Sequence, residues 1–253
     1  MIELKTPDEL THMRRAGQIV AELLAHLAAL VAPGLKTKEL DVAARAFIKA
    51  SGSEPAFLGY RGFPATICVS VNDEVVHGIP GERVLKAGDV VSIDAGVKVQ
   101  GLFSDAALTV PVGRVSAQAQ RLIDATRQSL DEAIAMVQPT NRLSDISHAV
   151  QQSVEREGFG VVRDFVGHGI GRALHEEPPI PNYGAPHMGP RLHAGMVLAI
   201  EPMVTMGRWD VNVLDDGWTA VTRDGSLAAH FEHTVAVTEH GPEVLTRVNE
   251  RAA

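Results

Sequence analysis

The chain has 253 residues, of which 45% are hydrophobic, and a formal net charge of -8. Its 23 Lys and Arg residues are spread along the sequence without a basic run, which argues against a nucleic acid or an anionic membrane as a partner. The single cysteine, Cys68, excludes an internal disulfide and a cysteine-rich zinc site. Any bound metal must therefore be held by histidine and carboxylate side chains.

The start of the chain and its hydropathy pattern predict a cytoplasmic protein. Glu3, Lys5, Asp8 and Glu9 interrupt the N-terminal segment, which therefore does not resemble a secretory signal peptide. No apolar run approaches the roughly 20 residues that a membrane-spanning helix needs. We expect no membrane contact.

Two helices are predicted first. Residues 6–9 (TPDE) have the pattern of a capping box with proline in the first turn, and apolar residues then recur at helical spacing up to Pro33-Gly34. A second amphipathic pattern begins near Thr37 and ends at Ser51-Gly52.

Strands and a second pair of helices follow. Runs rich in β-branched residues predict strands over 66–71, 90–97 and 102–110. Helices are predicted over 116–137 and 144–157, and strands again over 196–201, 211–214, 218–222 and 228–238. The Gly- and Pro-rich stretch 177–190 is short and central, so we expect a loop near a site.

The repeated order of two helices and then strands predicts an α+β fold. Its two similar halves, at about 1–115 and 116–253, are expected to share one sheet layer. No linker separates them, so we expect a single catalytic domain over residues 1–253.

Asp94 and Asp105 lie on two predicted strands joined by a turn near residues 99–101. A hairpin centred between Val99 and Gln100 places the two aspartates directly opposite each other, with both side chains on one face. Opposed residues have Cβ atoms about 5 Å apart, where like charges are destabilising unless something neutralises them. Taken alone, the pair is better explained as two solvated aspartates.

Three further residues turn this pair into a candidate metal centre. Glu201 closes a predicted buried strand and Glu232 lies in another, where an unpaired carboxylate is costly. His168 lies between Gly167 and Gly169, which leave space for a metal and a substrate backbone. Four carboxylates and one imidazole suit divalent Mn, Fe, Co or Zn. Shared carboxylates suit two metals bridged by a water.

Six segments carry a family resemblance. They are FLGYRGFP (57–64), SVNDEVVHGIP (70–80), the segment 94–105, GHGIGRALHEEP (167–178), IEPM (200–203) and FEHT (231–234). In this order, and over nearly the whole chain, they are similar to the signature segments of type I methionine aminopeptidases, which have the pita-bread fold.

The resemblance implies two pseudo-symmetric halves around a curved antiparallel sheet. It also implies removal of the initiator methionine from nascent polypeptides, preferentially when the second residue is small and uncharged. The expected cofactors are two divalent metal ions (Co, Mn, Fe or Zn). The expected partners are nascent polypeptide N-termini and, through a transient contact, the ribosome, with the enzyme itself a monomer.

The resemblance also assigns the metal ligands. Asp94 is expected to chelate one metal, His168 and Glu201 the other, and Asp105 and Glu232 to bridge both. Glu201 is further expected to take a proton from the attacking water and return it to the leaving amine.

Substrate residues are implied in the same way. His175 is expected to contact the scissile peptide oxygen and His77 the substrate backbone. A methionine pocket is expected from Tyr60, Phe63, Cys68 and Trp218, although each is equally typical of ordinary core. Leu174 departs from the family, where an aromatic residue is common, and this bears on the width of the pocket. Four other histidines are expected at the surface or beside the ligands: His193, His230, His233 and His240. Of these, His233 is the first candidate for a place beside the ligands, because it neighbours Glu232.

Three other functions fit the sequence less well. Proline-specific aminopeptidases and dipeptidases share the fold and ligands but usually carry a substantial N-terminal domain, whereas here the catalytic pattern begins almost at once. A metal-free binding module of this fold would have lost ligands, and all five positions are filled here. A non-haem iron oxygenase uses two histidines and one carboxylate, whereas this set is dominated by carboxylates. The segment 184–229 leaves no room for the helical insertion of type II enzymes.

Overall fold

Four α-helices and one short 3-10 helix (Tyr60–Gly62) occur in residues 2–247, the part of the chain that this computed structural model describes. The α-helices are α1 (Pro7–Leu30), α2 (Thr37–Ala50), α3 (Ala117–Ala135) and α4 (Leu143–Arg156). The predicted capping box begins α1, because the Thr6 side chain accepts the N–H of Glu9 while the Glu9 carboxylate accepts the N–H of Thr6. Among these residues, no helix combines the length and apolar composition needed to cross a bilayer.

Fifteen strands accompany the helices in the described part of the chain. Those of the first half are β1 (Glu54–Pro55), β2 (Ile67–Val71), β3 (Glu74–Val76), β4 (Val90–Val99) and β5 (Leu102–Pro111). Those of the second half are β6 (Gly160–Val161), β7 (Gly167–Gly169), β8 (Glu176–Ile180), β9 (Val197–Ile200), β10 (Met203–Thr205), β11 (Val211–Val213), β12 (Ala220–Thr222), β13 (Ala228–His230), β14 (Glu232–Thr238) and β15 (Gly241–Val244).

One nine-stranded antiparallel sheet runs through both halves. Its main order is β1-β4-β5-β14-β9-β7-β8, with β2 also paired to β4 and β15 to β14. The halves meet where β5 pairs with β14, with Ala107 opposite Glu232. Two three-stranded sheets, β13-β10-β6 and β11-β12-β3, complete the strand pairing described for residues 2–247. The prediction of an α+β fold with a shared sheet is confirmed.

Two predicted segments differ in detail. The predicted strand over 228–238 is two strands of different sheets, since β13 pairs with β10 whereas β14 pairs with β5 and β9. The chain changes sheet at Phe231, where no turn residue marks the change. The stretch 177–190 begins within strand β8, at the end of the sheet order. Pro178 and Pro179 are tolerated there because an edge strand can spare backbone N–H groups.

The shared sheet has an apolar face and a face that carries the candidate ligands. In β4, Ile93 and Ala95 are buried against the apolar residues of α1 and α2, and Asp94 between them points to the other face. In β9, Leu198 and Ile200 join the core formed with α3 and α4. Glu201 directly follows and lines the cavity on the opposite face. The helices therefore hold one face of the sheet while the other carries the site.

Candidate active site

The hairpin of β4 and β5 supplies two aspartates in a register that differs from the prediction. Asp94 lies opposite Ala107, and Asp105 lies opposite Gly96. The aspartates are therefore diagonal neighbours, and the prediction of a directly opposed pair is wrong. Their side chains still share one face, because a residue and its partner's second neighbour lie on the same side of a sheet.

The turn explains this register. Gln100 and Gly101 have φ angles of 51° and 83°. They form a two-residue loop between the paired residues Val99 and Leu102. Two successive residues at positive φ are typical of the tight hairpin turn whose twist matches the strands. The hairpin is therefore centred between Gln100 and Gly101, one residue later than predicted.

The second half supplies three side chains from three strands. His168 lies in β7, Glu201 directly follows β9, and Glu232 begins β14. Because β9 pairs with both of the other strands, these side chains converge. His168 Nε2 lies 3.5 Å from Glu201 Oε1 and 3.8 Å from Asp105 Oδ2. One ligand atom each from Asp105, His168 and Glu232 lies within 4.8 Å of the others.

The acidic cluster is electrostatically unfavourable without a cation. Burial, followed by the neighbouring carboxylates, raises the pKa of Asp94, Glu201 and Glu232 well above their ordinary values. Burial also raises the pKa of Asp105, although the nearby His168 opposes this. Within residues 2–247, Asp94 Oδ1 is buried and has no hydrogen-bond partner. Buried oxygen donors, one of them orphaned, beside an imidazole fit a divalent cation.

Neighbouring groups orient the donors. His168 Nδ1 lies 2.9 Å from the Gly169 carbonyl oxygen, which can only accept, so Nδ1 donates to it and Nε2 is the ring nitrogen that faces the cluster. The Thr234 hydroxyl lies 2.7 Å from the backbone oxygen of Asp105 and 3.3 Å from its Oδ1. These contacts hold His168 and Asp105 in place before any ligand binds.

The candidate ligands share one cavity, of about 140 Å³, with all the predicted substrate residues. Its lining consists of Phe57, Tyr60, Arg61, Phe63, Cys68, His77, Asp94, Asp105, His168, Leu174, His175, Glu201, Trp218 and Glu232. Residues predicted from six separate segments thus come together around one space.

Part of the cavity wall is aromatic and soft. Phe63 and Trp218 pack edge to face at 5.1 Å between ring centroids, and Tyr60 stacks on His175 at 5.3 Å. Burial raises the pKa of the Cys68 thiol well above its ordinary value, so this side chain stays neutral. Such a lining suits an apolar, polarisable side chain such as a thioether.

Two neutral imidazoles border the acidic cluster. The ring centroids of His175 and His168 lie 4.1 Å apart. Burial, then the neighbouring His168 and Arg61, lower the pKa of His175 to about 3. Burial also lowers the pKa of His77, whose ring packs edge-on against Phe165 at 5.4 Å. Both side chains can therefore donate a hydrogen bond without adding a competing cation.

Three lining residues were not among the predicted site residues. Phe57 and Arg61 belong to the same FLGYRGFP segment as the predicted Tyr60 and Phe63, and that proximity was the available signal. Leu174, singled out only for its departure from the family, is 2% exposed and lines the cavity.

The histidine nearest to the acidic cluster is not the one that was predicted. His230, not His233, approaches the cluster, because it is 2% exposed and its Nε2 lies 3.7 Å from Glu201 Oε2. His233 instead contacts Thr246, with Nδ1 2.8 Å from the hydroxyl. Alternation along β14 turns its side chain away from the face of Glu232. His193 and His240 are exposed, as predicted.

Comparison with known proteins identifies the family. The model of metallopeptidase family M24 matches residues 11–239. Methionine aminopeptidase 1 of Bacillus subtilis is 55% identical over 248 residues, which are 98% of this chain and 100% of that protein. Methionine aminopeptidase of Clostridium perfringens is 54% identical with the same coverage.

Solved structures agree with this result. The crystal structure of methionine aminopeptidase from Thermotoga maritima has a TM-score of 0.96 and 50% identity, covering 98% of this chain and 100% of that one. Prolidase from Pyrococcus furiosus, with a TM-score of 0.80 and 22% identity over 98% of this chain and 66% of its own, shares the fold alone. The predicted pita-bread fold is confirmed. The chain therefore belongs to metallopeptidase family M24 and, within it, to the methionine aminopeptidases.

Proposed function

We propose that this protein removes the N-terminal methionine from newly made polypeptides, preferentially when the second residue is small and uncharged. The observation that carries the proposal is the single cavity in which an acidic cluster and an aromatic, thiol-lined wall meet. The methionine aminopeptidases of Bacillus subtilis and Thermotoga maritima match nearly the full chain, which supports the same reaction.

The chemistry uses divalent metal. We propose two ions, of Co, Mn, Fe or Zn, with Asp94 on one, His168 and Glu201 on the other, and Asp105 and Glu232 between both. The orphaned Asp94 oxygen and the raised carboxyl pKa values support this assignment, since each signals a buried charge that lacks its partner. When bound, such a pair supplies a water of lowered pKa and offsets the charge of the cluster.

Glu201 is proposed to carry the proton. Its carboxylate accepts a proton from the attacking water and returns it to the leaving amine, acting first as base and then as acid. In the metal-free cluster the pKa of Glu201 is raised well above its ordinary value by burial and by Asp105 and Asp94. Glu201 lines the cavity that is proposed to hold the substrate, which supports this role.

His175 and His77 are proposed to bind the substrate backbone. His175 donates a hydrogen bond to the scissile peptide oxygen, where negative charge develops, and His77 holds the backbone nearby. Their cavity positions and lowered pKa values support these roles, because a neutral imidazole can serve as a donor.

The methionine side chain is proposed to lie among Tyr60, Phe63, Cys68 and Trp218. Leu174 lines the same cavity and adds an aliphatic wall where family members commonly have an aromatic one. An apolar pocket separates similar side chains by only about 1 to 3 kcal/mol, so the preference for methionine over leucine is expected to be moderate.

The cellular setting is also a proposal. We infer a monomeric cytoplasmic enzyme, active as one catalytic domain over residues 1–253, that acts on nascent N-termini during a transient contact with the ribosome. The acidic net charge of -8 supports a role without a specific nucleic acid ligand or a membrane.

Peptide hydrolysis combined with metal analysis tests the function. Protein purified without oxygen should contain up to two divalent ions per chain. It should cleave peptides with Met first and Gly, Ala or Ser second, and cleave poorly those with Leu or Arg second, because a bulky residue displaces the carbonyl from attack geometry at a cost of about 100-fold. Faster cleavage of Ala-Pro or Leu-Ala peptides than of Met-Ala peptides would instead indicate a proline-specific or broad aminopeptidase.

A further inference from the structure

The loop that carries His175 is not held by regular strand pairing. It joins β7 to β8, and the pairing of these strands contains a register shift between Gly167 and Gly169. Backbone bonds hold the first residues of the loop: Ile170 N–H donates to Val197 O, Gly171 O accepts from Phe103 N–H, and Gly171 N–H donates to Ala173 O. The direction of the His175 side chain therefore depends on other contacts.

Glu176 closes this loop with its side chain. Its Oε1 accepts the backbone N–H of Ala173 at 3.0 Å, so the carboxylate reaches back over the two residues between them. Those two residues are Leu174 and His175, which both line the cavity. Whatever fixes the Glu176 carboxylate also fixes the loop that presents them.

Lys5 fixes that carboxylate from the N-terminal segment. Its ammonium Nζ lies 2.7 Å from Glu176 Oε2, with the two side chains only 1% and 10% exposed. Nζ also donates to the backbone oxygen of Glu3 at 3.1 Å. The Lys5 backbone N–H donates to Gly195 O at 2.7 Å, which attaches the segment to the turn before β9.

Gly171 shows how closely Lys5 crosses the loop. A Cβ atom added at Gly171 would lie 1.9 Å from Lys5 Cε, so the lysine stem occupies the space that a side chain at this position would need. A long cationic side chain is thus buried against the loop next to the active site, where an ordinary surface ion pair would be exposed and weak.

We propose that Lys5 is a positioning residue of the active site, acting through Glu176 to hold the 170–176 loop so that His175 points at the scissile bond. This inference rests on the proposed function. A misplacement of about 1 Å can cost about 100-fold in rate, so loss of the contact is expected to lower kcat and to change KM much less.

The test distinguishes two roles of Lys5: holding the loop in position and neutralising the charge of Glu176. K5M leaves the Glu176 carboxylate buried without its partner, which can impair folding. The double variant K5M/E176Q removes that penalty, because glutamine keeps an acceptor for Ala173, yet it still lacks the tie to the loop. The control R172Q removes two ion pairs of the same loop, to Glu9 and to Glu3, in which the arginine is 46% exposed. All are assayed metal-loaded on a Met-Ala-Ser peptide.

We expect K5M and K5M/E176Q to lose about 10- to 100-fold in kcat with unchanged metal content, and R172Q to stay within about twofold. In an H175A background, the Lys5 changes should cause no further loss, because they act through His175. Wild-type kcat in K5M/E176Q, or an equal loss in the H175A background, would overturn the proposal. An inactive wild type would instead reject the proposed function itself.

Discussion

The two faces of the shared sheet are made by the same strands but follow opposite rules. Ile93 and Asp94 are neighbours in β4. Ile93 is fully buried among the apolar residues of α1 and α2, and the burial of apolar surface explains its place. Asp94 is turned to the cavity, where one of its oxygens is buried without a partner. The stability of the fold accounts for the position of Ile93 but not for that of Asp94.

This difference separates stability from function along each strand. On the helix side, alternate positions such as Leu198 and Ile200 add to a packed core. On the cavity side, Asp105 and Glu232 are each 3% exposed although burial disfavours their charged forms. A position that breaks the rule for stable folding without compensation is where function is expected.

The largest effect is expected when one carboxylate is removed from the cavity face of the sheet. Asp105→Asn keeps the volume of the side chain and removes a charge proposed to bind both metals, so hydrolysis should fall below detection and metal should be lost. The metal-free variant should also melt at a higher temperature than the metal-free wild type, because one repelling buried charge is gone. Metal analysis, peptide assay and thermal melting check the three outcomes.

Asp131→Asn is the matched control for this change. Asp131 is exposed and pairs with Arg247 on the surface, so its loss should leave activity and metal content unchanged. Normal turnover with two bound metals in Asp105→Asn would contradict the site assignment.

A smaller effect is expected where a cavity residue binds substrate but not metal. His175→Ala should keep its metal yet lose about 100- to 1,000-fold in kcat, as when one donor to a developing oxyanion is removed. His12→Ala, at a half-exposed histidine of α1, should change nothing. Steady-state kinetics with metal quantification decides the matter, and an unchanged rate constant would make His175 a structural residue.

The fold was predictable where its signals are local. The capping box at Thr6 and Glu9 and the apolar periodicity after it predicted α1, and long β-branched runs predicted β4 and β5. Three-residue strands such as β7 and β10 were not predicted. β10 pairs with β6 and β7 with β9, both far along the chain, and the nearer pairing of β7 with β8 is irregular, so no local pattern reveals these strands.

The site was predictable in its residues more than in its geometry. The resemblance named side chains that the structure brings into one cavity. The hairpin register was missed because the conformations of Gln100 and Gly101 decide it, and a single glycine is compatible with several turns. His233 was ranked above His230 because the approach of His230 to Glu201 depends on the change of sheet at Phe231.

Removal of the metal should lower the free energy of unfolding, because the binding energy of the metal stabilises the folded state. A ligand that binds only the folded state stabilises it by about 2.7 kcal/mol at 100 times its dissociation constant. Adding Mn²⁺ to the chelated protein at that ratio should therefore raise the free energy of unfolding by about this amount per site, measured by urea titration. The same addition should leave Asp105→Asn almost unchanged, and equal stabilisation of the variant would place the metal elsewhere.

The smallest expected effect tests the opposite face at the residue next to the cluster. Ile93→Val removes one methylene from a fully buried side chain, a change that typically costs about 0.5 to 1.5 kcal/mol of stability. Because Ile93 points toward α1 and α2, away from Asp94, the metal-loaded variant should keep wild-type kcat and metal content. Urea unfolding gives the first quantity and the peptide assay the second. If kcat fell along with stability, the two faces would be coupled through β4, and stability and catalysis could not be assigned to opposite sides of one strand.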